Sequence, residues 1–138
     1  ITGEYNKRGM TNDVIAKTIT DLGFAKERIV ADAAEPKSIA ELKKLGVSRI
    51  VGAVKGPDSV KNGIDRLQRY DIVIDERCTN TIEEFDNYTW VKDKKTGEYI
   101  NQPVDAFNHH IDSIRYGTQN VMKKKVHTKE ELKNAMFL

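Results

Sequence analysis

The sequence predicts an α/β domain in which one sheet is covered by helices on both faces. Short apolar runs typical of strands, such as residues 28–31 and 49–54, alternate with longer stretches whose apolar residues recur at helical spacing. This alternation is the pattern of an α/β layer architecture. The chain has 138 residues, of which 38% are hydrophobic, so it is long enough to bury one core.

Turn and capping residues divide the chain into elements. Gly23 and Gly46 end two amphipathic stretches, Pro36 suits a first helical turn, and Ser59 is expected to cap the third helix. A turn at residues 93–97 predicts a β-hairpin. The predicted helices cover residues 14–22, 36–46, 59–70, 81–88 and 106–122. The predicted strands cover residues 28–31, 49–54 and 71–75, with the hairpin over residues 90–99 and the end of a strand within residues 1–8.

Composition excludes several classes of protein. One cysteine, Cys78, excludes an internal disulfide framework and a cysteine-built zinc site. No apolar run approaches the roughly 20 residues that span a bilayer. The net charge is only +2, but residues 32–70 hold eight basic and five acidic residues, whereas residues 71–100 hold four and eight. The basic segment suits contact with a phosphate backbone, although a solvated helix surface also explains it.

Asp32 is the first candidate site residue. It follows an apolar strand and precedes a helix, and sites in α/β sheets form beyond the carboxyl ends of strands. Ala33 and Ala34 are small and leave room for a ligand. The alternative is that Asp32 only caps the turn near Pro36.

His109 and Asp112 form the second candidate. At spacing i and i+3 they share one face of the last predicted helix. Together with Asp32 they supply carboxylates and one imidazole, a donor set that suits Mg²⁺ or Mn²⁺ better than structural zinc. Such ions activate water and polarise phosphoryl oxygens, which points to phosphodiester hydrolysis. An ordinary polar helix face is the alternative.

Three segments, in this order, resemble the large terminase subunits of tailed bacteriophages. They are ADAAEPKSI at residues 31–39, AVKGPDSV at residues 53–60 with Gly63-Ile64 after it, and NHHIDSIRY at residues 108–116. The last looks like that family's H-x-x-D-x-x-R-Y ending. The resemblance implies the C-terminal nuclease domain, a ribonuclease H-like mixed sheet flanked by helices, which cuts concatemeric double-stranded viral DNA during genome packaging.

The resemblance also assigns the site. Asp32, His109 and Asp112 are implied to be catalytic residues and ligands of two Mg²⁺ or Mn²⁺ ions. The family's first acid lies upstream of residue 1, so we expect the first strands to be missing, and the chain to bind metal weakly and to cut poorly. The residues expected to follow a DNA backbone are Lys55, Lys61, Arg66 and Arg69.

The remaining expectations concern organisation and partners. Residues 1–122 are expected to form the nuclease domain and residues 123–138 a basic tail. The implied partners are double-stranded DNA, the terminase ATPase domain, the small terminase subunit and the portal, in the cytoplasm of a bacterial host and without a membrane. No G-x-x-x-x-G-K-[ST] loop occurs in the chain. Two alternatives stay open: a RuvC-like or other ribonuclease H-type nuclease, and a non-catalytic docking module whose acids are structural.

Overall fold

The computed structural model describes residues 1–119, which form five helices and two small sheets. The helices α1 to α5 are Asn12–Asp21, Pro36–Lys44, Ser59–Leu67, Thr79–Asn87 and His109–Gly117. The strands β1 to β4 are Ile29–Ala31, Ile50–Gly52, Trp90–Lys92 and Tyr99–Pro103. No helix among these residues is long and apolar enough to cross a membrane.

A parallel strand pair lies at the centre of the fold. β1 pairs with β2 in parallel, with Ile29 opposite Ile50, and α2 makes the crossover that parallel strands require. Ala16 of α1, Leu42 of α2, Val47 and Ile50 are buried together in the core. The predicted order of helix, strand, helix and strand in this part of the chain is therefore confirmed.

The hairpin is also confirmed, and its turn explains why. One carboxylate oxygen of Asp93 accepts hydrogen bonds from the backbone N–H groups of Lys95 and Thr96, at 2.7 and 2.9 Å. Gly97 adopts a φ of 73°, a conformation that glycine takes without strain. The turn returns the chain so that β3 and β4 pair antiparallel.

Several details of the sequence prediction are wrong, including the strand end expected within residues 1–8, which form no strand. Residues 71–75 form no strand, because only Ile1 pairs with them, through backbone hydrogen bonds with Val73 and Asp75. Instead of one sheet, residues 1–119 contain two separate two-stranded sheets. Ser59 does not cap α3, because Asp58, with a left-handed φ of 57°, occupies the cap position.

The last helix begins three residues later than predicted. Phe107 adopts a left-handed φ of 54°, and α5 starts at His109. Residues 120–122 of the predicted helix, and the predicted tail at residues 123–138, lie outside the described residues.

Two glutamates accept hydrogen bonds at the N-termini of α4 and α5. Glu4 accepts four hydrogen bonds from the backbone and side chains of Asn80 and Thr81, at the start of α4. Three residues further along α4, the buried Glu84 accepts hydrogen bonds from the backbone N–H groups of His110 and Ile111, at 2.7 and 3.0 Å. The N-terminal segment therefore holds α4, and α4 holds the first turn of α5.

Glu4 makes the stability of the fold sensitive to acid. Burial is the largest single influence and raises the pKa of Glu4, but the hydrogen bonds from Asn80 and Thr81 together lower the pKa from 4.5 to about 2. A carboxylate whose pKa is lower in the folded state stabilises the fold above its unfolded pKa, and this stabilisation is lost as the pH falls towards the folded pKa. As the pH is lowered from 4.5 to about 2, we expect the urea concentration at the midpoint of unfolding to decrease for the wild type. The decrease should be smaller for Glu4→Gln. The exposed Glu27→Gln is the control, and identical pH dependence of wild type and Glu4→Gln would contradict the expectation.

Candidate metal centre

Asp32 and Lys55 meet at the edge where the parallel strands end. Asp32 directly follows β1, and Lys55 comes three residues after β2. The Lys55 Nζ atom lies 2.5 Å from Asp32 Oδ1, which also accepts a hydrogen bond from the Ala34 backbone N–H at 2.8 Å. The hydrogen bond from Lys55, and next the one from Ala34, hold the pKa of Asp32 below its usual value. Asp32 is therefore an anion at neutral pH.

The end of α5 lies against the same edge. The Lys55 ammonium group sits 5.6 Å from the centre of the Tyr116 ring, within reach of a cation–π interaction. Beyond the helix, the Gln119 side chain bonds to both backbone polar groups of Val54, donating to its carbonyl at 2.9 Å and accepting from its N–H at 3.1 Å. These contacts fix the second half of α5 beside Asp32.

Asp112 joins this edge through Arg115. The Nε and Nη2 atoms of Arg115 both donate to Asp112 Oδ1, at 3.2 and 2.9 Å. The Arg115 guanidinium lies 4.6 Å from the Tyr116 ring centre, and its charge helps to lower the pKa of Asp32. Asp32, Lys55, Tyr116, Arg115 and Asp112 therefore form one connected group, which we call the carboxylate cluster.

His109 lies one helical turn before Asp112, but within residues 1–119 its side chain makes no hydrogen bond or ion pair with the carboxylate cluster. It is exposed at the first position of α5, seven positions before Tyr116, which corresponds to about 10 Å along a helix axis. Among residues 1–119, no three His, Cys, Asp or Glu side chains lie close enough to hold a metal ion together. The structure therefore connects Asp32 with Asp112 but does not close the predicted three-ligand site.

The donor chemistry of the carboxylate cluster fits a divalent cation. In both Asp32 and Asp112 the hydrogen bonds and ion pairs go to Oδ1, and Oδ2 accepts no hydrogen bond from the described part of the chain. Asp112 is 31% exposed and Asp32 is 53% exposed, so solvent and ions reach both. Carboxylate oxygens, with an imidazole nearby, are donors that Mg²⁺ and Mn²⁺ accept.

The four predicted phosphate-binding residues lie in different environments. Lys61 on α3 and Arg69 beyond it are exposed. Arg66 is half-buried and its Nη2 donates to the backbone carbonyl of Arg115 at 3.2 Å. Lys55 is partly exposed and pairs with Asp32. Arg66 therefore has a structural contact that its charge alone did not reveal.

Sequence reasoning gave no role to Arg115, Tyr116, Gly63 or Glu84. Arg115 could have been found, because it follows Asp112 at spacing i+3, where side chains on a helix meet. Gly63 and Tyr116 stand in segments of the family resemblance, which gave them no role, and Glu84 carries no local signal. The contacts of Gly63 and Glu84 with α5 span 26 or more positions of sequence, such as the hydrogen bonds from α5 to Glu84.

Comparison with known proteins identifies the family. The family model described as "Terminase RNAseH like domain" matches residues 1–120. The chain belongs to this family. The resemblance seen in the three sequence segments is thereby confirmed, and the domain is a terminase nuclease domain.

The relatives agree with this assignment. The large terminase subunit of Bacillus phage SPP1 is 45% identical over 104 residues, which is 73% of this chain and 24% of that protein. The PBSX phage terminase large subunit of Bacillus subtilis (strain 168) is 33% identical over 129 residues, 90% of this chain and 29% of that protein. The chain thus spans about a quarter of the length of these relatives.

A solved structure confirms the ribonuclease H-like fold. The nuclease domain of the SPP1 large terminase, g2p, crystallised with bound Mn, superposes with a TM-score of 0.74 and is 40% identical. The match covers 82% of this chain and 65% of that one. The predicted fold class is therefore right, although its division into strands was wrong in detail.

Proposed function

We propose that this domain hydrolyses phosphodiester bonds of double-stranded viral DNA during genome packaging. In this proposal Asp32, Asp112 and His109, one turn before Asp112 on α5, hold the divalent ions. The observation that carries the proposal is the carboxylate cluster, which joins two acids from distant parts of the chain at one edge of the sheet. Manganese bound to the SPP1 nuclease domain supports the same chemistry here.

The residues of the carboxylate cluster have distinct tasks in this proposal. Asp32 and Asp112 would hold two Mg²⁺ or Mn²⁺ ions, and such ions would supply an activated water and stabilise the charge that develops on the phosphate. Lys55 is partly exposed next to Asp32 and is placed to contact a backbone phosphate. The Tyr116 ring lies within reach of cation–π interactions with both Lys55 and Arg115.

We expect metal binding and cleavage by the 138-residue chain to be weak. The two carboxylates and the imidazole make an open site, because within residues 1–119 no three such side chains come close enough together to hold a metal ion. Mg²⁺ that is held by only one or two carboxylates keeps several waters, and substrate phosphates usually supply its remaining ligands. Rapid Mg²⁺-dependent cleavage that depends on Asp32 would contradict this expectation.

Substrate preference tests the proposed function. The chain is incubated with Mn²⁺ and linear duplex DNA, a four-way junction or an RNA–DNA hybrid, and nicking is followed on gels. Preferred cleavage of the duplex supports the terminase activity. Preferred cleavage of the junction or hybrid would favour a RuvC-like or other ribonuclease H-type enzyme. Binding without any cleavage would favour a docking module.

The proposal also includes the wider assembly. We infer that the domain acts beside a terminase ATPase domain, with the small terminase subunit and the portal, in the bacterial cytoplasm. The assignment of its relatives as large terminase subunits supports this arrangement. We also infer that the domain spans residues 1–122.

We propose that Lys55, Lys61, Arg66 and Arg69 contact the DNA backbone. The salt dependence of DNA binding tests the contacts of Lys61 and Arg69. Each phosphate contact that is lost should reduce the slope of log K against log salt concentration by about 0.9. We therefore expect the double variant Lys61→Ala and Arg69→Ala to bind duplex DNA more weakly, with a slope smaller by about 2. The control is Lys17→Ala, which removes an exposed lysine paired with Asp21 on α1. A slope equal to that of the control would exclude these two residues from the interface.

A further inference from the structure

Arg115 is held rigidly although it carries a full charge. Its side chain is only 2% exposed, and two of its nitrogens donate to Asp112 Oδ1. The third, Nη1, donates to the backbone carbonyl of Ser59 at 3.3 Å. The guanidinium therefore connects the carboxylate on α5 to the first turn of α3.

Gly63 allows α3 to approach Arg115. A Cβ atom at Gly63 would lie 2.3 Å from Arg115 Cδ and 2.4 Å from Cγ, closer than such atoms can come. The Arg66 side chain on the same helix donates to the Arg115 carbonyl at 3.2 Å. One face of α3 thus holds the backbone, the aliphatic stem and the head group of Arg115.

The geometry points to a positioning role rather than a purely stabilising one. A buried ion pair contributes little net stability, because desolvation offsets the attraction. Here the buried partner is Arg115, whereas Asp112 remains 31% exposed with Oδ2 available. The two charge-assisted donors hold Asp112 Oδ1 in place beside the arginine, and Oδ2 accepts no hydrogen bond from the described part of the chain.

We propose that Arg115 is a positioning residue that fixes Asp112 through Oδ1 so that Oδ2 ligates the metal, and that Gly63 provides the space this requires. The inference rests on the proposed function, since it concerns the same metal site. It adds that Asp112 binds through a single oxygen and that Gly63 of α3, which contacts Arg115 and is not itself a ligand, affects the affinity for metal.

The first measurement needs no metal. In the 138-residue chain, the Nε–H of Arg115 should give a slowly exchanging ¹H–¹⁵N signal, because it is buried and hydrogen-bonded. Asp112→Ala should broaden or shift this signal, and Gly63→Ala should do the same. The proposal would be overturned if the Arg115 signal exchanged as fast as that of the exposed Arg77. It would also be overturned if Asp112→Ala left the Arg115 signal unchanged, and neither result requires that the other variants fold.

The second measurement follows metal binding directly. Mn²⁺ is titrated while the broadening of amide signals around Asp32 and Asp112 is recorded, which detects weak binding. We expect Arg115→Lys, which keeps the charge but loses the fork, and Gly63→Ala, which keeps every charge and ligand, to weaken Mn²⁺ binding roughly 10-fold or more. The matched control is Gly117→Ala, since a Cβ at Gly117 meets nothing within 4 Å.

The outcomes separate the two proposals. Weaker Mn²⁺ binding in folded Arg115→Lys and Gly63→Ala, with Gly117→Ala unchanged, supports the positioning role. Unchanged binding in both folded variants, with binding lost in Asp112→Asn, overturns the positioning role and leaves the metal site in place. Binding that is indifferent to Asp112→Asn overturns the proposed site itself.

Discussion

Asp32→Asn and Asp112→Asn are each expected to lower Mn²⁺-dependent cleavage of duplex DNA by more than about 100-fold. Loss of an outer partner of a metal ligand typically costs 10- to 100-fold, and loss of the ligand itself should cost more. His109→Asn should have a smaller effect, because His109 is exposed about one helical turn away from Asp112. Because the wild-type rate is expected to be low, these losses are measured as nicking of supercoiled plasmid, in which a single cut is detected.

The control for these variants is Asp21→Asn. Asp21 is an exposed aspartate on α1 whose ion pair with Lys17 contributes little. The Asp21→Asn variant should cleave at the rate of the wild type. Retention of cleavage by Asp32→Asn or Asp112→Asn would show that the carboxylate cluster is not the catalytic site.

Glu84→Ala is expected to lower the free energy of unfolding by about 2–4 kcal/mol. Glu84 is buried, and its removal leaves the backbone N–H groups of His110 and Ile111 without an acceptor, each at a cost of roughly 1–3 kcal/mol. Urea unfolding followed by circular dichroism measures the change. The loss should be accompanied by fraying of the first turn of α5, where His109 lies.

The neighbouring Glu83 is a close control for Glu84. Glu83 occupies the preceding position of α4 but is exposed, so Glu83→Ala should change the unfolding free energy by less than about 0.5 kcal/mol. Glu84→Gln keeps an oxygen acceptor and should fall between the two. Equal stability of Glu84→Ala and Glu83→Ala would contradict the capping role.

The sequence correctly predicted the elements that are fixed by residues within or next to them. Pro36 begins α2, and the aspartate turn at residue 93 makes the hairpin. Residues 71–75 were mistaken for a strand because Ile72, Val73 and Ile74 form a β-branched apolar run, but a strand also needs a partner. In residues 1–119 that partner is limited to Ile1, and Val73 remains 78% exposed.

The candidate site was predictable only in part for the same reason. The position of Asp32 after a strand and the spacing of Asp112 are local features. The links between them are not: Lys55 reaches Asp32 from the next strand end, and Gly63 accommodates Arg115 from another helix. Such contacts depend on the packing of α3 and α5, which no spacing within either helix encodes.

The position of a bound Mn²⁺ ion tests the central claim most directly. Crystals of the chain soaked in Mn²⁺ and measured at the manganese absorption edge would locate the ion without reference to activity. We predict an anomalous peak within roughly 2.0–2.6 Å of a carboxylate oxygen of Asp32 and of Asp112 Oδ2. Carboxylates of Asp32 and Asp112 more than about 8 Å apart, beyond a shared coordination sphere, with no ion between them, would contradict the account and favour a docking module.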